Sequence, residues 1–536
     1  MDFNTNYKPY PSVRTAHYAR RGMVATSQPL AAGAGLAILQ AGGNAVDAAI
    51  AAAACLTVVE PTSNGLGGDA FAIVWMNSEL FGLNSSGPAP QSLSIDAVRN
   101  FGHETMPKLG WIPVTVPGAP GAWAALSQRF GKLSLAECLA PAIDYAKNGY
   151  AVSSLIAKHW KLAYEAYRKH CTAAEFTPWF DVFAPKGRAP EAGEIWSSNA
   201  HANTLAEIAA TQGESFYRGP LADEIAAYSE KTGGFLTKSD LEAYQPQWVT
   251  PISTNYRGYD IWELPPNGQG LVALVALNIL KGYDFTAKDS PDTYHKMFEA
   301  MKLAFTAGKA YITDPRHMEL PPETFLSDAY AEHLRSKIGT SAINPTPIAP
   351  KPGGTVYLAA ADGEGNMVSY IQSNYMGFGS GIVIPGTGIA LQNRGADFSL
   401  NPAHANALAP GKRSYHTIIP GFLTHRGHAL GPFGVMGGYM QPQGHVQVIT
   451  NTLDFGLNPQ MALDAPRWQW TEGKSFQVEH AFPLHIAQQL AERGHTVQIA
   501  LESGSFGRGQ IIWRNPETGV LCGGTESRCD GAIASW

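Results

Sequence analysis

The sequence is poor in cysteine and in charged residues, and each shortage excludes a class of protein. Its five cysteines are scattered and form no CxxC pair, which argues against a disulfide framework and predicts reduced thiols in a cytosol-like compartment. Charged residues make up 15% of the 536 residues, with a formal net charge of −6 and a pI of about 6.2. This balance argues against nucleic acid or an anionic membrane as the main partner.

Long hydrophobic runs and metal-binding patterns are also missing. The longest apolar run, 48–59, is too short to span a bilayer. The segment 1–21 has no apolar core of the kind that signal peptides carry, so we expect a cytoplasmic protein. No His, Cys and Asp residues are spaced as metal ligands, and His404 and His416 lack the HExxH pattern. We therefore expect neither a metal nor another cofactor.

What the sequence does contain is apolar residues and many turn formers. Hydrophobic residues make up 45% of the chain, which also has 56 glycines and 37 prolines. This composition predicts a compact, turn-rich α/β protein with a large core. Length alone suggests about three or four domains, although no internal repeat is present. The proline-rich segment 344–352 predicts an exposed, extended linker.

One predicted helix is apolar on every side. Asn44 is a good N-cap for the segment 45–59, and a helix of this kind is buried between layers. The glycines that follow it, 65–68, lack a Walker lysine and predict a tight turn rather than a phosphate loop. Further predicted elements are helices at 29–41, 292–310 and 443–453, a strand at 70–75, and a strand pair within 504–536.

The stretch after the linker has two interpretations. Gly353 and Gly354 lead into an apolar strand that begins at Thr355. In one interpretation this is an ordinary loop entering a hairpin. In the other it is a self-cleavage site, where the glycines let the Thr355 hydroxyl attack the preceding carbonyl. Cleavage would leave Thr355 as a new N-terminus, with its hydroxyl as nucleophile and its α-amine as the adjacent base.

The surroundings of Thr355 favour self-cleavage. They contain Gly354-Thr355, Asp362, Gly365-Asn366, the glycine-rich segment 377–382, Asn393 and Asp397-Phe398-Ser399. This set resembles the γ-glutamyltranspeptidase family of N-terminal nucleophile hydrolases, and the resemblance extends from residue 22 to residue 531. It implies an α+β fold, a four-layer αββα sandwich. It also implies a large chain, 1–354, and a small chain, 355–536, that share one domain and remain together as a heterodimer. A dimer of these heterodimers is a further expectation.

The resemblance also implies roles for individual residues. Ser373 lies 18 residues after Thr355, where the family places a hydroxyl that hydrogen-bonds the nucleophile. Gly437 and Gly438 match the glycine pair of the oxyanion hole, and glycine amides beside a helix N-terminus suit a developing anion. Asp397 matches the carboxylate that holds the α-amino group of the substrate.

Several positions depart from the family pattern. The arginine that holds the α-carboxylate falls near Ser86, and the segment between Ser399 and Lys412 is too short for the family's lid. Arg394 could bind a carboxylate bidentately, which suits a short ω-acid amide, or could pair with Asp397. His416 is either a pH-sensitive ligand or a hydrogen-bonded structural histidine. The remaining replacements are Tyr375 for an Asn, Arg394 for a Gln, and His416-Thr417 for a serine pair.

The sequence therefore predicts an autoprocessed N-terminal threonine hydrolase or acyltransferase that cleaves a small-molecule amide through an acyl-enzyme. Three specificities share this mechanism, namely γ-glutamyl transfer or hydrolysis on glutathione, cephalosporin (glutaryl) acylase activity, and an oxamate-type amidohydrolase activity. A rival of another class is an unprocessed, non-catalytic binding protein. Thr355 after two glycines, together with Ser373 and the glycine pair, argues against that rival.

Overall fold

The computed structural model describes residues 14–345 and 353–536. The predicted linker lies outside this range from residue 346 onward, as do residues 1–13 of the segment considered above for a signal peptide. In chain order the strands are β1 (His17–Ala19), β2 (Gly22–Thr26), β3 (Asp69–Met76), β4 (Glu79–Ser85), β5 (Tyr150–Ala151), β6 (Ile195–Trp196), β7 (Gln247–Val249), β8 (Ile252–Tyr256), β9 (Tyr259–Glu263), β10 (Gly354–Asp362), β11 (Met367–Tyr375), β12 (Gly421–His425), β13 (His428–Met436), β14 (Trp468–Glu472), β15 (Ser475–Glu479), β16 (Thr496–Ala500), β17 (Arg508–Arg514), β18 (Leu521–Thr525) and β19 (Ala532–Ser535).

The α-helices lie mostly in the first two thirds of the chain. In chain order they are α1 (Pro29–Gln40), α2 (Ala45–Val59), α3 (Ile95–Asn100), α4 (Ala119–Phe130), α5 (Leu135–Asn148), α6 (Ser154–His170), α7 (Thr177–Phe183), α8 (Asn199–Ala210), α9 (Glu214–Arg218), α10 (Pro220–Lys231), α11 (Lys238–Glu242), α12 (Gly270–Leu280), α13 (Pro291–Tyr311), α14 (Pro322–Leu326), α15 (Asp328–Arg335), α16 (Met440–Leu453), α17 (Pro459–Asp464) and α18 (Leu484–Glu492). Over the described residues, none of these helices is both long and apolar enough to cross a membrane.

Two seven-stranded sheets form the centre of the described molecule. One has the order β1-β18-β17-β13-β12-β9-β8 and the other β19-β2-β10-β11-β3-β4-β7. An apolar cluster fills the space between them and includes Phe71, Tyr357, Ile371, Phe422 and Ile512. Helices cover the outer face of each sheet, α2 packing on β10 and α16 on β13. These four layers confirm the predicted αββα sandwich.

Strand β10 is buried on both faces because it lies inside these layers. Tyr357 and Ala359 point into the cluster between the sheets. Val356 and Leu358 point the other way, into the core beneath the helices. The sequence of a strand covered on both faces is a continuous apolar run rather than an alternation of apolar and polar residues. This explains the unbroken apolar sequence that follows Thr355.

Most predicted helices and strands are confirmed, but the predicted pairing of the C-terminal strands is wrong. Helix α2 is buried at every position, and Asn44 and Asp47 form a capping box at its start. All five cysteines are free thiols, as predicted. The C-terminal segment is not a simple strand pair, since β17 and β18 pair in one sheet while β19 joins β2 in the other. Pairing between distant strands leaves no local signal in the sequence.

Candidate active site

Thr355 lies at an irregularity in the pairing of β10 with β11. Gly354 is opposite Tyr375 and Val356 is opposite Gln372, so the register shifts across Thr355. Ser373 and Asn374 of β11 both lie opposite Thr355, so the extra residue is in β11. A bulge of this kind bends the strand and redirects a side chain, and bulges occur often beside active sites. Thr355 is only 1% exposed.

Two hydroxyl groups connect Thr355 to the carbonyl that precedes it. Thr355 Oγ1 donates a hydrogen bond to Ser373 Oγ at 3.1 Å. Ser373 Oγ in turn donates to the Gly354 carbonyl oxygen at 2.6 Å, and the Tyr375 amide donates to Ser373 Oγ at 2.7 Å. The arrangement can carry a proton away from Thr355 and polarise the Gly354 carbonyl at the same time.

Gly437 and Gly438 form the turn between β13 and α16, two residues before Met440 begins the helix. Their φ angles are +142° and +59°, which residues with a Cβ rarely adopt. A Cβ on Gly437 would lie 3.0 Å from Gly507 Cα, and one on Gly353 would lie 3.3 Å from Gly438 Cα. The glycine pair thus borders the segment that precedes Thr355, at the positive end of a helix dipole.

Gln269 holds this turn in place, and the sequence did not reveal it. Its Nε2 donates to the carbonyl oxygens of Thr417 and Gly438 at 2.7 and 2.8 Å. Its Oε1 accepts from the Tyr415 hydroxyl at 3.0 Å. Gln269 lies at the N-terminus of α12, far from Gly438 in sequence, so no local pattern could have connected them.

Two cavities flank the site, and Tyr439 lines both. The smaller, about 260 Å³, also borders Gly353, Gly354, Gly437 and Trp470. The larger, about 730 Å³, also borders Lys309, Asp397 and Tyr415. Cavities of these sizes suit small molecules.

Asp397 is held by two tyrosine hydroxyls. Tyr375 and Tyr439 donate to its Oδ1 at 2.9 and 3.0 Å. Tyr439 also contacts the Lys309 ammonium, which lies 3.7 Å from the centroid of the Tyr439 ring. Burial, reinforced by the Asp397 charge, raises the pKa of both tyrosines well above the usual value. Both hydroxyls therefore stay protonated and donate to the carboxylate.

Arg394 lies behind Tyr375 and is 1% exposed. Its Nη1 donates to Thr417 Oγ1 at 2.8 Å and lies 3.9 Å from Asp397 Oδ2. Its guanidinium stacks on the Tyr375 ring at 4.0 Å from the centroid. The predicted proximity of Arg394 and Asp397 is present, although the contact is long and involves one nitrogen.

His416 is paired with Asp69 in the interior. Its Nδ1 accepts from the Ile418 amide at 3.3 Å, so Nε2 carries the proton and donates to Asp69 Oδ2 at 3.0 Å. Burial lowers the pKa of His416 well below its usual value, and Arg394 lowers it further. Burial also raises the pKa of Asp69 to about 7, against the opposing effect of Arg394. This environment fits a neutral structural histidine.

A cluster of three possible metal ligands lies away from the site. His295, Glu299 and His495 place their ligand atoms within 4.8 Å of one another. His295 and Glu299 are about one turn apart on α13, a spacing visible in the sequence that places both side chains on one face of the helix. However, Lys302 Nζ lies 2.6 Å from Glu299 Oε1, and His295 Nδ1 is 2.8 Å from His495 Nε2. The lysine already supplies a cation to this carboxylate.

The predicted site residues thus fall into three groups. The first surrounds the bond between Gly354 and Thr355, the second lies behind Tyr375, and the third is buried apart from both cavities. In that order, the groups are Gly354, Thr355, Ser373, Gly437, Gly438 and Tyr375; Arg394, Asp397 and Thr417; and His416. Asp69, the partner of His416, was not predicted as a site residue. Tyr439 and Lys309 were missed, although Tyr439 directly follows the glycine pair and could have been inferred from that position.

The fold and the family match agree on the class of protein. Residues 31–536 match the family described as gamma-glutamyltranspeptidase. A cephalosporin acylase from Bacillus halodurans has a crystal structure that superposes with a TM-score of 0.98 and 63% identity, covering 100% of this chain and 99% of that one. The protein is an N-terminal nucleophile hydrolase, an autoprocessed enzyme that cleaves amide bonds. Within that class, the chain belongs to the gamma-glutamyltranspeptidase family.

Curated relatives within this family carry different names. A glutathione hydrolase-like YwrD proenzyme of Bacillus subtilis (strain 168) is 38% identical over 521 residues, covering 95% of this chain and 97% of the relative. An oxamate amidohydrolase proenzyme of Klebsiella pneumoniae is 34% identical over 544 residues, covering 98% and 100%. An acylase ACY 1 proenzyme of Pseudomonas sp. (strain V22) is 33% identical over 529 residues, covering 95% and 93%.

Proposed function

We propose that Thr355 is the nucleophile of this enzyme, released by cleavage of the Gly354–Thr355 bond. The observation that carries this proposal is the pair of hydrogen bonds joining Thr355 Oγ1, Ser373 Oγ and the Gly354 carbonyl oxygen. A nucleophile needs a proton acceptor within hydrogen-bonding reach, and its target carbonyl needs a donor. Ser373 supplies both in the precursor.

Self-cleavage would follow from this geometry. Thr355 Oγ1 forms a bond to the Gly354 carbonyl carbon, the Gly354–Thr355 C–N bond breaks, and the hydroxyl proton ends on the nitrogen. Water then hydrolyses the resulting ester, which leaves a carboxylate on Gly354 and restores the threonine hydroxyl. The free α-amine of Thr355 has a reference pKa of about 8, so a useful fraction of it can act as a base near pH 7.

Turnover of an amide would repeat the same attack. Thr355 Oγ1 adds to the substrate carbonyl, and the amides of Gly437 and Gly438 stabilise the oxyanion. The amine departs with a proton from the Thr355 ammonium, and an acyl-enzyme remains. Water hydrolyses this ester and releases the acid. The cavities of about 260 and 730 Å³ on either side of Tyr439 favour a small-molecule substrate.

The two products of cleavage, 1–354 and 355–536, would remain one heterodimer. In one sheet, β10 of the small chain pairs with β2 of the large chain, and β2 pairs in turn with β19 of the small chain. In the other sheet, β12 of the small chain pairs with β9 of the large chain. Separation would therefore require both sheets to be taken apart.

Intact mass spectrometry tests the nucleophile. We expect two masses that divide between Gly354 and Thr355, together with turnover of at least one amide from a panel of glutathione, a γ-glutamyl anilide, glutaryl amides and oxamate. Thr355→Ala should give one full-length mass and lower activity by several orders of magnitude, because no other hydroxyl occupies its position. Thr355→Ser, which keeps the hydroxyl, is the matched control and should still be cleaved.

Two outcomes would contradict the proposal. A Thr355→Ala protein that is cleaved and active would remove Thr355 from the mechanism. A wild-type protein with a single full-length mass and no turnover of the panel would instead support the non-catalytic binding protein.

A further inference from the structure

Tyr375 adopts a backbone conformation that residues with a large side chain rarely have. Its φ angle is +74°, in the left-handed region, although it is the last residue of a buried strand and is itself 1% exposed. This conformation is unfavourable for a bulky residue, and it persists only where the surrounding structure imposes it. Strained residues of this kind cluster at functional sites. The contacts of the Tyr375 amide and of its side chain indicate what imposes it here.

The amide of Tyr375 fixes the direction in which the Ser373 hydroxyl donates. A hydroxyl has one proton to donate and two lone pairs that accept. The Tyr375 amide can only donate, and its nitrogen lies 2.7 Å from Ser373 Oγ. The Gly354 carbonyl oxygen can only accept, and it lies 2.6 Å from the same atom. Ser373 therefore donates to Gly354, and its second lone pair accepts from Thr355 Oγ1 at 3.1 Å.

The side chain of Tyr375 is held at its far end. Its hydroxyl donates to Asp397 Oδ1 at 2.9 Å, and the Arg394 guanidinium stacks on its ring, 4.0 Å from the centroid. Because φ is the torsion angle about the bond from the amide nitrogen to Cα, it sets the direction of the side chain relative to the amide. A φ typical of a strand would move either the amide away from Ser373 or the hydroxyl away from Asp397. The left-handed conformation allows both contacts at once.

We propose that Tyr375 is a positioning residue for self-cleavage, and that its strained backbone connects Asp397 to the Ser373 hydroxyl. Tyr375 acts through Ser373, whose hydroxyl polarises the Gly354 carbonyl, and it forms no bond itself. Asp397 in turn holds Tyr375 in the conformation that directs its amide. This inference rests on the proposed function, since it takes the bond between Gly354 and Thr355 as the one that is cleaved.

Two substitutions of Tyr375 separate the role of its backbone from that of its side chain. Asparagine adopts a left-handed φ several times more often than most residues with a Cβ, whereas β-branched valine avoids it, and both are too short to reach Asp397. We expect Tyr375→Val to slow self-cleavage by at least about 100-fold, and Tyr375→Asn by only about tenfold. Cell-free translation of pulse-labelled chains, quenched at intervals and resolved on a denaturing gel, gives each rate.

Tyr375→Phe tests the hydrogen bond to Asp397 alone. It keeps the ring against Arg394 and removes the hydroxyl, so self-cleavage should slow by about three- to tenfold. Tyr256→Phe is the matched control, because the buried Tyr256 donates from its hydroxyl to Asp454 Oδ2 at 2.7 Å, and neither residue lines the cavities beside the site. This control loses the same kind of hydrogen bond and should be cleaved at the wild-type rate.

Folding is measured separately from cleavage. In the Thr355→Ala background no variant is cleaved, so thermal unfolding there identifies a temperature at which every variant remains folded, and the rates are compared at that temperature. Faster cleavage of Tyr375→Asn than of Tyr375→Val is a result that lost packing does not produce, because both variants lose the ring and the hydroxyl. If Tyr375→Val does not fold, Tyr375→Phe against Tyr256→Phe supplies the comparison.

The outcomes separate this inference from the proposed function. Equal cleavage rates for folded Tyr375→Asn and Tyr375→Val overturn the role of the Tyr375 backbone. Cleavage of Tyr375→Phe at the wild-type rate overturns the role of Asp397. A wild-type chain that is not cut between Gly354 and Thr355 is instead a failure of the proposed function, and this inference fails with it.

Discussion

Arg394 is buried and the Arg528 side chain is 8% exposed, yet the regions around them differ in how completely their charges are paired. Arg528 forms a bidentate pair with Glu479 and also donates to Glu526 Oε1 at 2.7 Å. Glu526 is paired in addition with Arg467 at 2.6 Å. Arg394 has a long contact to Asp397 and two donors without a partner in the described residues.

The difference separates a region whose charges are fully paired from one whose charges are only partly paired. The Arg528 network connects α17, β15 and the segment after β18, and every charge in it has an opposite charge within hydrogen-bonding distance. Arg394 stacks on Tyr375, and its Nε and Nη2 have no hydrogen-bond partner in the described residues. Functional sites commonly retain such unfavourable features at the expense of stability.

The largest expected effect is a difference in the free energy of unfolding when either arginine is replaced by methionine. We expect Arg528→Met to reduce the free energy of unfolding by about 3–5 kcal/mol, because Glu479 loses its buried partner. Arg394→Met should change it by less than about 1 kcal/mol, because the desolvation of Arg394 is poorly compensated. Denaturant unfolding in the Thr355→Ala background keeps each variant as a single chain. Equal losses of unfolding free energy in the two variants would contradict the contrast between the two arginines.

The second expected effect is a loss of stability as pH rises from acidic to neutral. Burial raises the pKa of Asp69 to about 7, above its usual value of 3.8, so the folded state favours the protonated form. The stability from this group is complete below about pH 4 and is lost as pH rises through 7, by up to about 4 kcal/mol. Asp69→Asn should remove this loss, measured as unfolding free energy between pH 4 and 8. A slope that persists in Asp69→Asn would contradict the assignment.

The third expected effect is a loss of stability as pH falls, opposite in direction to the effect of Asp69. Burial alone would raise the pKa of Glu526, but Arg467 and Arg528 lower it to about 2, from its usual value of 4.5. The stability from this carboxylate is present above about pH 4.5 and is lost as pH falls towards 2, by about 3 kcal/mol. Glu526→Gln should flatten the curve in that window. If wild type and variant lose stability in parallel, Glu526 is not the group responsible.

The sequence predicted features that depend on neighbouring residues or on family-like spacing. The Asn44 cap and the buried helix after it follow from local chemistry, and the 18-residue interval between Thr355 and Ser373 does correspond to a hydrogen bond. The bulge at Thr355 and the support of Gly438 by Gln269 were not predicted. Each depends on residues that meet only after distant strands pair, and local propensity carries no information about such contacts.

The charge pattern around Arg394 was predicted only in part. Its closeness to Asp397 follows from their three-residue separation in sequence. That Nη1 would contact Thr417, leaving the other edge of the guanidinium unpaired, depends on the position of β12 and the loop before it. His416 and Asp69 are 347 residues apart, so their pairing could be found only in three dimensions.

The bulge at Thr355 has a consequence for the order of events in the life of the protein. The Thr355 and Ser373 hydroxyls meet only once β10 and β11 have paired, and that pair lies between β2 and β3 of the large chain. The cleavage proposed above would therefore wait for the sheet to be assembled. A misfolded chain would keep the Thr355 nitrogen in a peptide bond, so the proposed cut would occur only in molecules that have completed folding.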